Sequence, residues 1–101
     1  MEFSEALTAV REWLGRVTAP AQVQRDDTDG LWVFFESEHA LAELIVGDDA
    51  SAPWRFVSMT VLDTRLDPHA APVFTFWGKQ VHTVSDILRE LDRAMGIFET
   101  L

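Results

Sequence analysis

The sequence predicts an α+β domain in which two amphipathic terminal helices flank a four-stranded antiparallel meander, in the order α-β-β-β-β-α. Three observations predict it. Apolar residues recur at helical spacing near both ends of the chain. Between them lie four runs rich in β-branched and aromatic residues. Short links join these runs, which suits hairpins rather than crossover connections. A chain of 101 residues, 48% of them apolar, forms one domain over 1–101, since single domains cluster near ~100–150 residues.

The first helix spans roughly residues 3–17. Phe3, Leu7, Val10, Leu14 and Val17 draw one apolar stripe that Ala6 and Trp13 widen. Thr18-Ala19-Pro20 ends it, because the residue before a proline is pushed out of the helical region. Residues 18–30, TAPAQVQRDDTDG, then read as a polar connection that closes on a glycine turn.

LWVFFESE, residues 31–38, opens the strands, with Leu31, Val33 and Phe35 on one face and Trp32 and Phe34 on the other. ALAELIVG, 40–47, also fits a helix capped by Ser37 and stopped by Gly47. A strand is preferred because only a hairpin-sized gap separates it from the run before. After the loop 47–53 comes WRFVSMTVL, 54–62, with Val57, Met59 and Val61 on one face and Trp54, Phe56 and Leu62 on the other. A proline-containing loop, 63–72, leads to VFTFWGKQVH, 73–82. The last helix is announced by Thr83-Val84-Ser85-Asp86, a capping-box variant with Asp as its acid. Val84, Ile87, Leu88, Leu91, Met95 and Phe98 form its stripe, and Gly96 is expected to weaken its end.

Coverage of the sheet sets the functional question. Four strands at ~4.8 Å give a face about 19 Å wide, which two helices packed at about 8–10 Å can just cover. If both helices take one face, Trp32 and Phe34 stand on bare sheet, and Trp54 and Phe56 with them. If the helices take opposite faces, each face is half covered. Either way aromatic surface lacks an intramolecular partner, and such a patch marks an interface unless loops 18–30 and 63–72 fold over it.

Charge narrows the partner. The formal net charge is −9, and residues 21–50 carry Asp26, Asp27, Asp29, Glu36, Glu38, Glu43, Asp48 and Asp49 against Arg25 alone. Such a surface repels phosphate backbones and anionic lipid, so neither nucleic acid nor membrane is an expected partner. A basic protein would be attracted and steered in. No run approaches the ~18 apolar residues of a membrane helix, and the N-terminus lacks the pattern of a secretory signal. With no cysteine, the chain forms no disulfide, which is compatible with the cytoplasm.

Chemistry-bearing motifs are weak. DDTDG places Asp27, Asp29 and Glu36 at calcium-loop positions but puts Arg25 where the first carboxylate belongs, so a turn is expected instead. His39, His69 and His82 are scattered without metal-site spacing. There is no nucleophile elbow, no cysteine nucleophile and no phosphate loop. Ser58 lies mid-strand. The chain is read as non-enzymatic, with no cofactor and no metal.

ALAELIVGDD, WRFVSMTVLD, a proline loop, a strand ending W-x-K-x-x-H and the helix TVSDILRELDRAM together resemble small immunity proteins of bacterial polymorphic-toxin and contact-dependent systems, over residues 40–95. The resemblance implies a cytoplasmic protein that binds and blocks a cognate toxin without a cofactor. No site residue carries over from it. The residues themselves suggest the eight carboxylates as an acidic rim, with Trp32 and Trp54 as anchors, against a basic partner such as a nuclease toxin. The competing reading is a homodimeric adaptor or secretion-chaperone-like module that uses the open sheet face.

Overall fold

A computed structural model describes residues 1–48, 56–78 and 83–101. Helix α1 (Phe3–Arg16) precedes strands β1 (Ala21–Asp27), β2 (Gly30–Glu36), β3 (Ala40–Gly47), β4 (Phe56–Asp63) and β5 (Pro72–Trp77), and helix α2 (Val84–Thr100) closes the fold. The strands pair in sequence order, β1-β2-β3-β4-β5, and every pairing is antiparallel. The α+β class, the helix-strands-helix order and the meander are as expected, but the sheet has five strands rather than four.

The extra strand is β1, which lies inside the stretch read as a polar connection. Its sequence, AQVQRDD, has one large apolar residue and no alternation, and every residue in it is exposed. Five strands at ~4.8 Å span about 24 Å, more than two helices cover, so this edge strand lies beyond the helical layer. With no face to bury, it leaves no hydrophobic period in the sequence. A bulge between Val23 and Arg25 also breaks its register. The bulge sends Arg25 to the side of Trp32, its partner in the ladder, and Asp26 to the helical side.

Both helices pack on one face. Leu31, Val33 and Phe35 of β2, Ala42, Leu44 and Val46 of β3, and Val57, Met59 and Val61 of β4 point into the core. There they meet Leu7, Val10 and Trp13 of α1 and Ile87, Leu91, Met95 and Phe98 of α2. Phe35 is fully buried at the junction. Trp13 meets its ring edge-on at 6.4 Å, and Phe98 does so at 6.3 Å from the other helix. The Trp13 indole Nε1–H donates to the Asp92 carboxylate at 2.9 Å, tying α1 to α2.

The ends of α2 follow from sequence in part. The Thr83 hydroxyl accepts the Asp86 amide at 3.1 Å, the expected cap. The helix does not weaken at Gly96 but runs on to Thr100, because Phe98 still has a buried place beside Phe35.

Phe56 departs from expectation. Alternation puts it beside Trp54 on the other face, yet it is buried and its ring lies 5.7 Å from that of Phe3. Its φ of 67° puts the first residue of β4 in the left-handed region, so the strand's two-residue alternation does not govern its side chain. Trp54 lies outside the described residues.

The β1–β2 hairpin turns through Asp27-Thr28-Asp29-Gly30, where Asp27 Oδ1 accepts the Asp29 amide at 2.8 Å. Gly30 is required by close approach, since a Cβ there would stand 2.5 Å from the Val46 carbonyl oxygen. Gly30→Ala is expected to lower stability by roughly 1–3 kcal/mol through backbone displacement. Phe35→Ala, which removes the ring shared by both helices, should cost roughly 3–5 kcal/mol. Urea denaturation monitored by far-ultraviolet circular dichroism checks both values.

Candidate functional site

The face turned away from the helices is built by ladder register. Paired residues in antiparallel strands project to the same side, so its side chains form cross-strand rows. One row runs Arg25, Trp32, Ile45, Ser58, Trp77, and the next runs Gln22, Phe34, Glu43, Thr60, Thr75. A third brings Leu41 beside Leu62. Neither helix packs here. Trp32 and Trp77 are 40% and 41% exposed, and Phe34, Leu41, Ile45 and Leu62 are half-buried.

This is the face expected to be bare. Of the loops that could have covered it, 18–30 supplies strand β1 instead. The 63–72 loop joins β4 to β5 as a hairpin closed by Asp63 N–H to Ala71 O at 2.8 Å. Three strand spacings of ~4.8 Å set Trp32 and Trp77 about 14 Å apart, with Ile45 and Ser58 between them. Ser58 itself is buried.

Trp77 was not singled out from sequence. The signal was available, because Phe74 and Phe76 face the helices and the same alternation puts Thr75 and Trp77 on the other side. Of the two tryptophans that were singled out, Trp32 is on this face. Its indole Nε1–H donates to Glu43 Oε2 at 3.0 Å, and its ring lies 5.4 Å from that of Phe34.

The carboxylates of residues 21–50 do not form one group. Asp27 and Asp29 sit in the hairpin turn, and Asp48 follows Gly47, whose ladder partner is Gly30, so these three share one end of the sheet. Glu36 and Glu38 lie at the opposite end, about 20 Å away along β2 at ~3.3 Å per residue. Asp26 is on the helical side, ion-paired with Arg11 at 2.8 Å. Glu43 stands alone in the middle of the open face. Asp49 lies outside the described residues. The cause of this division is local. Turns at both ends of the strands collect Asp and Glu, and the β1 bulge turns Asp26 away from the Arg25 side.

The turn acids are engaged within the hairpin. Arg25 Nε donates to Asp27 Oδ2 at 2.9 Å, and Arg11 also reaches the Asp27 carbonyl. The Arg25 guanidinium, followed by the Asp29 amide, holds the Asp27 carboxyl below its ordinary pKa. The calcium-loop positions are therefore not assembled, with Asp27 paired to Arg25 and Glu36 at the far end of β2. Among the described residues, no group of three His, Asp or Glu side chains could hold a metal ion. His39 lies 3.7 Å from Glu38 in the β2–β3 turn, His69 is in the exposed β4–β5 loop, and His82 lies outside the described residues.

Two further features could carry chemistry, and both have structural explanations. A concavity of about 420 Å³ between α1 and α2 is lined by Trp13, Arg16, Asp92 and Glu99 among others, but its buried indole is already satisfied by Asp92. Asp63, buried at the end of β4, accepts the Arg65 guanidinium on both oxygens and the Arg65 main-chain N–H, each at 3.0 Å. These bonds, with a smaller contribution from His39, hold its carboxyl below the ordinary value.

The Asp63 pairing gives a pH prediction. A carboxyl whose folded pKa lies below its unfolded value of about 3.9 stabilises the fold fully above that value. The contribution is lost as pH falls through the folded pKa. Asp63→Asn should therefore flatten the decline in stability below about pH 4, measured as the urea midpoint across an acid titration. Comparison with protein-family models, with curated proteins and with solved structures found no match to this chain.

Proposed function

We propose that this protein is a non-enzymatic acidic binding protein, an immunity-type inhibitor that docks a basic protein such as a nuclease toxin on its open sheet face and blocks it. The observation that carries this reading is the pair Trp32 and Trp77, both about two-fifths exposed on a sheet face that neither helix covers. Large aromatic rings on a rigid surface are what interface hot spots are made of, and nothing in the helical layer accounts for them.

The charge supports the sign of the partner. A chain of net charge −9, with carboxylates at both ends of the aromatic face, speeds encounter with a basic surface and repels nucleic acid. A second copy of the same chain would bring equal negative charge and a second Glu43 onto that face, so a basic partner is favoured over a homodimer. Among the described residues no helix is long and apolar enough to cross a membrane.

Two measurements test the reading together. At micromolar concentration the isolated chain should sediment as a monomer. A tight dimer that Trp32→Ala or Trp77→Ala dissociates would establish the adaptor reading instead. Basic proteins encoded beside this one are the partners to assay. Their association rate should fall steeply between low and physiological ionic strength, and either tryptophan substitution should weaken the complex about tenfold or more. A salt-independent rate would remove charge steering from the account.

A further inference from the structure

We infer that the depression around Glu43 on the open face is a slot for a single arginine side chain of the partner, an inference that rests on the binding role proposed above. The depression is lined by Phe34, Leu41, Glu43, Thr60 and Leu62 and measures about 290 Å³. That is just below the ~300–1,000 Å³ range of small-molecule sites, and it suits one long side chain better than a cofactor.

Glu43 is unusual in its surroundings. In the ladder it lies directly between Phe34 and Thr60, half-buried, with Leu41 and Leu62 in the next row. One oxygen, Oε2, is fixed by the Trp32 indole N–H at 3.0 Å. Among the described residues, the other oxygen takes no hydrogen bond and no ion pair. Water can satisfy that oxygen in the free chain, and a partner that displaces the water must bring a donor in its place. An apolar side chain entering the slot would strip it of water and offer nothing in return.

Arginine meets every requirement of the site. Its planar guanidinium can fork onto the carboxylate while its face lies against an aromatic ring, and it sheds water more readily than an ammonium group. Phe34, in the lining of the depression, supplies a ring for such stacking. The chain already contains this arrangement once. Arg93 donates to Glu90 at 3.0 Å while its guanidinium lies 5.8 Å from the centre of the Phe74 ring. On the open face a carboxylate and a ring stand together, while Arg25, the cation of the neighbouring row, is held by Asp27.

The test uses the full chain, labelled with nitrogen-15 and titrated with the peptide acetyl-Gly-Arg-Gly-amide. Its lysine and citrulline counterparts serve as comparisons. The arginine peptide should shift the Trp32 indole N–H and the Thr60 amide saturably, severalfold more tightly than the lysine peptide, and citrulline should leave both in place. Glu43→Gln should weaken arginine binding about tenfold or more. Phe34→Leu, which keeps the apolar floor but removes the ring, should erase the preference for arginine over lysine. An unchanged response in Glu43→Gln, or equal responses to arginine and citrulline or to arginine and lysine, would overturn the slot. The wider binding role fails separately, when no basic protein associates. A partner that binds Glu43→Gln as well as it binds the original chain would remove the slot and leave that role standing.

Discussion

The packing of Phe35 between Trp13 of α1 and Phe98 of α2 decides on which side of the sheet both helices lie. A fully buried ring shared by two helices draws them to the same face, and the Trp13–Asp92 hydrogen bond then holds them side by side. Everything on the other face follows from that arrangement. Five strands are too wide for two helices and have two faces, so one edge strand lies beyond the helical layer and neither helix covers the other face. The rings of Trp32 and Trp77 are exposed, and that of Phe34 half-buried, because the helical layer packs on Leu31, Val33, Phe35 and their neighbours.

The parts of this fold that bury a periodic face were legible in the sequence. The α1 stripe through Leu7 and Val10, the Thr83 cap and the inward faces of β2 (Leu31, Val33, Phe35) and β4 (Val57, Met59, Val61) all record a side chain's need to be inside, and each stands where it was expected. β3, which also fitted a helix, is the preferred strand. β1 was illegible for the complementary reason. Gln22, Val23, Gln24 and Arg25 bury nothing, so backbone hydrogen bonds to β2 hold the strand without leaving a pattern. Phe56 was misplaced because alternation assumes an extended backbone, and its φ of 67° breaks that assumption. Trp32 was found as soon as both sides of LWVFFESE proved apolar. Trp77 was recoverable by the same alternation. The separation of the acidic residues was not recoverable, because it depends on which strand ends the turns occupy and on the bulge in β1.

Charge and aromatic surface play different parts in the reading of this face. Asp29, Asp48, Glu36 and Glu38 are exposed at the two ends of the sheet, where they would bias the approach of the proposed cationic partner and contribute little to holding it. Trp32, Trp77 and Phe34 can exclude water and hold a complex. Glu43 belongs to both groups, as a carboxylate set among rings with its orientation fixed by Trp32. In the proposed complex a mismatched partner would have to bury that charge without a counterpart, so Glu43 would reject as well as attract.

The bulges in the register have a consequence for how another chain can approach. Sheets with free edges invite foreign strands to extend them, which is a common route to aggregation. Here β1 presents Arg25, Asp26 and Asp27 behind a kink after Val23, and β5 begins with a proline beside the irregularity between Val61 and Leu62. Charge, a missing amide donor and a broken ladder leave neither border a straight template for lengthwise addition. A visitor is left with the flat of the sheet, where side chains rather than main chain decide what is accepted.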